Sequence, residues 1–340
     1  MGVDYLSPEE NRLVGSRRSN GMTRPENHGD KAMRFQKLDL NLLVALDLLL
    51  DEKSITRTAK RLHLSQSATS SILGRLREYF NDELLVNVGR NMVPTALAIS
   101  LQKPVRQLVL QIQATLEIRP HFIAAECERH FRLIASDYTT SILLTRVAQR
   151  LRTEAPKVTI EVSPPSLDAA EYIGRGEADF MFVPEEFILE DFSGEVLLED
   201  TYSCVTWAGN DLVGESITRE QYLEMGHVSV EFTGRTKSFE HWVFDNAQIK
   251  RRVEITATSY SALPQLLLGT DRVATMHTRL ARYLADYFPI RCLPLPIDVP
   301  KMKMVMQWNV YQEKDPAHQW LRAVMKEVAM ERCPLVTAFP

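Results

Sequence analysis

One stretch limits what this chain can fold into more than any other: Ser54 to Phe80, SITRTAKRLHLSQSATSSILGRLREYF. Its first half carries Ile55, Ala59 and Leu62 at helical spacing. A side chain as small as that of Ala59 lets a second helix cross closely over it. His63 and Leu64 then fit a tight turn, with His63 able to take the left-handed conformation at a cost a glycine would not incur. Ser65 reads as an N-cap, its hydroxyl accepting from backbone N–H groups of the next turn. The second helix has Ala68, Ile72, Leu73, Leu76 and Phe80 on a burying face. Gln66, Ser67, Thr69 and Ser70 open the opposite face, and short polar groups near a helix N-terminus suit base edges and phosphates. The spacing predicts a DNA-binding helix-turn-helix. An αα-hairpin with a polar outer face is the other reading of these residues alone.

The flanks extend this unit. Leu40, Leu42, Leu43, Leu46, Leu49 and Leu50 give one helix a wide apolar face, with Asp39 placed to cap it. After a turn at Asn81-Asp82, Leu84-Leu85-Val86 and Met92-Val93 read as two short strands around a Gly89 turn. Arg90 at the tip of this wing is placed to reach a phosphate or the minor groove. Residues 33–94 are therefore expected to form a winged helix-turn-helix. Residues 1–32 are polar and lack apolar periodicity. A disordered extension, and a stretch upstream of a true start at Met33, are both open readings, and N-terminal mass spectrometry of the native protein separates them. Thr95 to Glu117 is heptad-like, with Leu97, Leu101, Val105, Leu108, Ile112 and Leu116 in its seam. It predicts a dimerising linker helix over 95–119, a core helix of the next domain being the alternative. Pro104 should kink this helix or begin a new one.

The bulk numbers exclude several classes. At ~150 residues per domain, a chain of 340 residues holds two or three units. Hydrophobic residues at 45% and charged residues at 25% fit a soluble globular protein. A net charge of −4 argues against binding nucleic acid by bulk charge, but leaves room for a local basic face. Cys127, Cys204, Cys292 and Cys333 are scattered, so neither a zinc site nor a disulfide framework is expected. They fit a reducing cytoplasm, where the protein is placed. No run reaches the ~18 apolar residues of a membrane span. Asp4, Glu9 and Glu10 without an apolar segment argue against a secretory signal. No cofactor and no metal is expected.

From His130 the pattern alternates. Phe131 to Ala135 reads as a strand and Ser136 to Thr140 as a polar turn. A helix over Ser141 to Glu154, a strand over Val158 to Val162, a helix from Leu167 to about Arg175 and a strand over Asp179 to Val183 follow. That is βαβαβ, the signature of a parallel sheet. A second set follows at Val228 to Glu231, Phe239 to Ala247, Arg252 to Thr256, Ser261 to Leu268 and Val273 to Met276. Leu197 to Trp207 and Met302 to Val310 read as strands passing between the halves, with crossovers near 203–210 and 302–310. Trp320 to Met330 reads as a final helix packing back. Residues 129–335 are thus expected to be a two-lobed α/β domain with a hinged cleft, like a periplasmic binding protein, and ligands sit at the C-terminal ends of parallel strands.

Taken together, RFQKLDLNLLVALDLLL (34–50), LSQSATSSILGRLREYFNDELLV (64–86), GRNMVPT (89–95), GHVSVEF (226–232), IKRRVEI (249–255) and GTDRVATMHTRLAR (269–282) resemble the LysR-type transcriptional regulators. Within them they are most similar to the branch of the nodulation regulator NodD and the aromatic-catabolism regulators. The resemblance runs from Arg34 onward in family order. It implies promoter DNA, a homodimer or homotetramer, RNA polymerase and a small inducer as partners. Carried over by position, the recognition helix offers Gln66, Ser67, Thr69, Ser70 and Ser71, with Arg75 further along and Arg90 on the wing. Many relatives have proline where this chain has Ser67 and arginine where it has Ser71. The second difference removes a guanine contact, so operator preference does not transfer. Arg75 and Arg77 suit phosphates and a solvated face equally. The inducer positions implied are Ser136, Tyr138, Thr139, Thr140, Ser259, Tyr260, the loop Met276 to Arg279 with Arg279 as its charged group, and Gln307. Physically, Ser136, Thr139 and Thr140 precede a helix N-terminus, Arg279 can pair with a carboxylate or phenolate, and Tyr138, Tyr260 and Phe182 can wall a ring.

Two other classes compete. An enzyme finds no support: there is no GxSxG, Walker A run or HExxH, and His277 with Asp271, or Ser136 with Asp137, form no catalytic pattern. A solute-binding protein matches the C-terminal architecture but not the attached winged helix. The family habit is activation on inducer binding, with repression as the alternative. A small aromatic inducer (phenolic, chloroaromatic or flavonoid-like) and a catabolic or symbiotic operon are the expectation.

Overall fold

Asp39 starts the first helix by accepting from the Asn41 N–H at 2.9 Å. The computed structural model describes residues 39–89, 91–116, 122–232 and 236–331, so the 1–32 extension and Arg90 lie outside the described residues. The chain divides into two compact units, 1–99 and 100–340.

In the first unit, α1 (Leu40–Glu52), α2 (Ile55–Arg61) and α3 (Gln66–Phe80) pack on one another. Leu46, Leu49 and Leu50 are buried at their centre, each worth about 1.5–3 kcal/mol. Ala59 is buried where α2 meets its neighbours. The turn behaves as its residues dictate: His63 sits at φ 54°, and the Ser65 hydroxyl accepts from Ala68 N–H at 3.2 Å. β1 (Leu85–Val88) and β2 (Asn91–Pro94) pair antiparallel, with Gly89 at φ 62° in the turn. Buried Leu84 sits at φ 56°, a strained conformation. It is held because the Asp82 carboxylate accepts from Leu84 N–H at 2.7 Å and from the Thr95 hydroxyl at 2.6 Å.

α4 (Ala96–Leu116) runs through Pro104 without ending, so of the two expectations, a kink or a new helix, the new helix does not occur. Val105 and Val109, on the far side of the proline, are buried and hold the helix in place, while Leu108 and Leu116 are exposed.

Among the described residues, the rest of the second unit contains a five-stranded sheet and a six-stranded sheet. After β3 (His130–Ile134) comes α5 (Asp137–Thr139), a π-helical turn over Thr140–Leu144, and α6 (Thr145–Glu154). The expected polar turn is thus the first turn of a helix, and the π turn had no sequence signal. β4 (Thr159–Ser163), α7 (Ala169–Gly174), β5 (Phe180–Pro184) and β6 (Ser193–Asp200) follow. Then come β7 (Tyr202–Trp207), α8 (Arg219–Glu224), β8 (Gly226–Phe232), β9 (Thr236–Lys237), α9 (Phe239–Asn246), β10 (Arg252–Ala257), α10 (Leu263–Leu267), β11 (Val273–His277) and α11 (Thr278–Ala285). β12 (Ile290–Pro294), β13 (Met302–Trp308) and α12 (Pro316–Met330) complete the described chain. The first sheet has the order β4-β3-β5-β13-β6, and the second β10-β8-β11-β7-β12 with β9 beside β8. Along each of these five-strand orders four strands run in one direction and a single one, β13 in the first and β7 in the second, runs against them, and β9 is antiparallel to β8. α12 packs back on the first sheet, against β6 and α6.

The passage between sheets differs from expectation. β6 ends at Asp200 in the first sheet and β7 begins at Tyr202 in the second, so the chain crosses at Thr201 rather than near 203–210. It returns between β12 and β13, ahead of 302–310. β12 was not foreseen; its five residues carry no alternation that separates a strand from a loop. The hinge is tied at Asp200. That carboxylate accepts from Thr201 N–H at 2.8 Å, the Tyr138 hydroxyl at 2.9 Å and Arg279 N–H at 3.3 Å. Burial pushes its pKa up, against these bonds. From the first lobe, Asp137 accepts from Ser261 N–H of the second at 2.7 Å.

Candidate functional site

The α3 surface sorts the proposed DNA residues by burial. Gln66, Ser67, Ser70, Ser71 and Arg75 are exposed. Thr69 is not: it is fully buried, and its hydroxyl donates to the Ser65 carbonyl at 3.1 Å. This corrects its place in the set, because position 69 falls on the same stripe as Leu73 and Leu76 and cannot reach a base edge. Ser67 shares a 3.0 Å hydroxyl contact with Ser65. Arg77 turns inward to the wing, donating to the carbonyls of Glu83 at 2.9 Å and Leu85 at 2.7 Å. It fixes β1 relative to α3 instead of standing free for a phosphate.

In the second unit, the C-terminal ends of β3, β5, β8 and β11 converge on a cavity of about 390 Å³. That volume is in the range of small-molecule sites. The first lobe supplies Ile134, Ser136, Tyr138, Met181 and Phe182, with Phe187 and Leu189 beyond β5. The second supplies Phe232, Lys237, Phe239, Trp242, Tyr260 and His277. Phe239 and Trp242 stack at 5.6 Å between centroids, and Phe187 meets Trp242 edge-on at 5.8 Å. The ring of His277 stacks on Tyr138 at 4.0 Å and meets Tyr260 edge-on at 4.8 Å. Burial holds His277 neutral, its pKa pushed down to about 3. Burial likewise raises the tyrosines Tyr138, Tyr202 and Tyr260, which stay protonated. Such a chamber can hold an aromatic ring between aromatic walls and reward few polar contacts. Among the described residues no cluster of metal-binding side chains occurs, and no helix is long and apolar enough to cross a membrane.

Of the expected inducer residues, Ser136, Tyr138, Phe182 and Tyr260 line this cavity. Thr139, Thr140, Ser259, Arg279 and Gln307 do not, and each has a local reason. Thr139 is buried with its N–H on Ser136 Oγ, and the Thr140 hydroxyl donates to the Ser136 carbonyl at 3.0 Å. The acidic Asp137 in the same first turn also makes that helix end a poor anion site. Ser259 is half-buried ahead of the turn that carries Tyr260. Arg279 lies in α11 and donates to the Glu199 carbonyl at 3.2 Å, beside the hinge. Gln307 spans two backbone groups of Leu189, at 3.0 and 2.9 Å. Sequence reasoning singled out Arg279 from the 276–279 loop and passed over His277, and it missed Lys237 and Trp242. For His277 a signal existed: it is the last residue of a parallel strand, where ligands gather, whereas Arg279 is already inside the next helix. Lys237 and Trp242 had none.

Comparison with known proteins agrees with this geometry. Residues 40–98 match the family model described as bacterial regulatory helix-turn-helix protein, lysR family, and residues 124–330 match the LysR substrate binding domain. Nodulation protein D 1 of Rhizobium leguminosarum bv. phaseoli is 41% identical over 298 residues, 87% of this chain and 95% of that protein. Nodulation protein D of Bradyrhizobium sp. (strain ANU 289) is 38% identical, over 87% of this chain and 88% of its own length. A probable transcriptional regulator of Pseudomonas aeruginosa of known structure is 27% identical, covering 86% of this chain and 98% of its own, with a TM-score of 0.59. A full-length OxyR variant from Pseudomonas aeruginosa shares the fold at a TM-score of 0.66 and 15% identity, covering 88% and 96% of the two chains. A winged helix-turn-helix followed by a two-lobed chamber, matched along both parts to one family, leaves one conclusion: the chain belongs to the LysR family of DNA-binding transcriptional regulators.

Proposed function

We propose that this regulator activates its target operon when a small aromatic molecule binds in the 390 Å³ cavity between the lobes. The observation that carries the reading is the cavity's wall: aromatic side chains from both lobes, at the C-terminal ends of the parallel strands. Its likeness to nodulation D proteins favours a symbiotic operon and a flavonoid-like ligand over a chloroaromatic one. Operator contacts come from Gln66, Ser67, Ser70, Ser71 and Arg75, with Arg90 on the wing. The protein works in the cytoplasm as a homodimer or homotetramer paired through the α4 region and engages RNA polymerase at the promoter. Ligand binding is a population shift: one hinge state takes the ligand better, and the assembly changes how it holds its half-sites.

Footprinting and DNA-bend measurements on the operator, with and without inducer, test the mechanism. Protection and bend should change at inducer concentrations that saturate the protein. An identical footprint and bend while the promoter is induced overturns it.

A further inference from the structure

Two helical turns meet across the lobes, and they are capped differently. In the first lobe, the Ser136 hydroxyl accepts from Thr139 N–H and so caps α5. In the second, Ser259 precedes the turn Tyr260–Ala262 and makes no side-chain cap bond. The first N–H groups of such a turn have no partner within it. The Ser261 N–H finds its acceptor in the other lobe, where the Asp137 carboxylate takes it at 2.7 Å. Asp137 stands in the first turn of α5, whose cap Ser136 already supplies, and its carboxylate is committed across the lobes instead.

Among the described residues, the other hydrogen bonds between the lobes lie at the chain crossing. There Arg279 donates to Asp200 and to the Glu199 carbonyl, and Thr201 meets Thr278. Bonds at the crossing itself need not break when the lobes turn about it. Away from it, Phe187 of the first lobe meets Phe239 and Trp242 of the second at 6.2 and 5.8 Å. Apolar contact is non-directional and tolerates sliding. A hydrogen bond to a carboxylate is stronger and weakens steeply once its geometry is lost. The Asp137 bond is also continuous with the cavity wall. Asp137 precedes Tyr138, whose ring stacks on His277 of the second lobe at 4.0 Å. Ser261 follows Tyr260, which meets His277 edge-on at 4.8 Å. Separating the lobes here breaks the bond and pulls this wall apart.

We propose that Asp137 is an inter-lobe latch: by holding the Ser261 N–H it fixes the lobes in the arrangement described, and the hinge motion of this regulator runs through the breaking of that bond. The inference rests on the hinge reading above and deepens it. It is tested without ligand, so its failure is distinct from a failure of the cavity reading.

Single-molecule energy transfer on the full chain tests it, with a dye pair carried at Gln149 of α6 and Glu220 of α8, both exposed. Asp137→Ala should raise the population outside the main wild-type arrangement by about tenfold, the scale of one hydrogen bond to a charged group. Asp137→Ser, one bond shorter and well suited to a helix start, should do the same. Asp137→Asn keeps an acceptor oxygen and should restore most of the wild-type distribution. A wild-type distribution in both Asp137→Ala and Asp137→Ser overturns the proposal. So does a shift that Asp137→Asn shows in full, because the bond is then not its cause. If neither variant shifts while the wild type itself visits two lobe arrangements, the hinge stands and the latch falls. A single arrangement in every chain removes both.

Discussion

α3 carries its proposed operator contacts on successive turns of one helix, from Gln66 to Arg75, whereas the cavity gathers Ser136, Phe182, Lys237, Trp242, Tyr260 and His277 from segments far apart in the chain. The first is a solvated surface whose shape depends on one helix and its caps. The second exists only while two sheets and their helices stay packed. Substitutions on the α3 face should therefore alter recognition and spare the fold, while those behind the cavity should alter the fold first.

The largest test of that contrast lies behind the cavity wall. Glu240 and Arg251 form an ion pair at 3.4 Å, with side chains only 1% and 4% exposed. Ser229 also donates to Glu240 at 3.0 Å, and the Arg251 guanidinium lies over the Phe244 ring. Glu240→Ala leaves a buried guanidinium unpaired and should cost the effector domain about 3–5 kcal/mol, read from urea unfolding. A loss below about 1 kcal/mol, the scale of exposed pairs, would place the cavity wall with the solvated surfaces and dissolve the contrast.

Acid should act on the same region next. Burial depresses His277 and His318 to about 3 and His227 to about 4. In the unfolded chain each takes up a proton near pH ~6.5, so the unfolded state binds more protons and stability falls as pH drops below that value. The fall continues until about pH 4 for His227 and about pH 3 for the other two. From about pH 7 to 5.5 the loss should be on the order of 3 kcal/mol. Urea midpoints of the isolated effector region and the winged helix, measured separately, should diverge over this range. Parallel curves would show that these buried rings do not set the difference.

On the reading helix, Gln66→Ala should weaken specific operator binding by about 1–3 kcal/mol with no change in unfolding. Gel-shift titrations against operator and random DNA separate the specific loss from a general one, and an unchanged operator affinity removes Gln66 from the contact set. Smallest is Ser65→Ala, which removes the N-cap bond to Ala68 and should lower stability by about 1 kcal/mol. If that substitution unfolds the winged helix, α3 is less self-sufficient than its exposed face suggests.

Much of the architecture was legible along the chain. The helix-turn-helix, its Ser65 cap, the left-handed His63 and the alternation that signals parallel strands are local features, written at spacings of about 2 or 3.6 residues. The failures share one cause. Thr69 looked like a polar reader because it is polar, yet it lies on the Leu73–Leu76 stripe and satisfies its hydroxyl on its own helix. Arg279 looked like an anion partner because it is charged, yet the backbone turns it to the hinge while His277 takes the strand end. The chain crossing moved to Thr201 because Asp200 is held there by three donors, one of them from residue 138.

The sequence by itself determined the family, most of the order of elements and most of the face of α3 that meets solvent, because periodicity and caps act within a few residues. Only the tertiary structure decided which side chains share the cavity and which polar groups there are already satisfied. Those facts depend on the packing of β3, β5, β8 and β11 with the helices and loops that follow them, and on hydrogen bonds between residues as distant as Tyr202 and His277. A polar residue's chemistry is printed in the chain; whether its partner is its own backbone, a distant hydroxyl or a ligand is settled only when the sheets close.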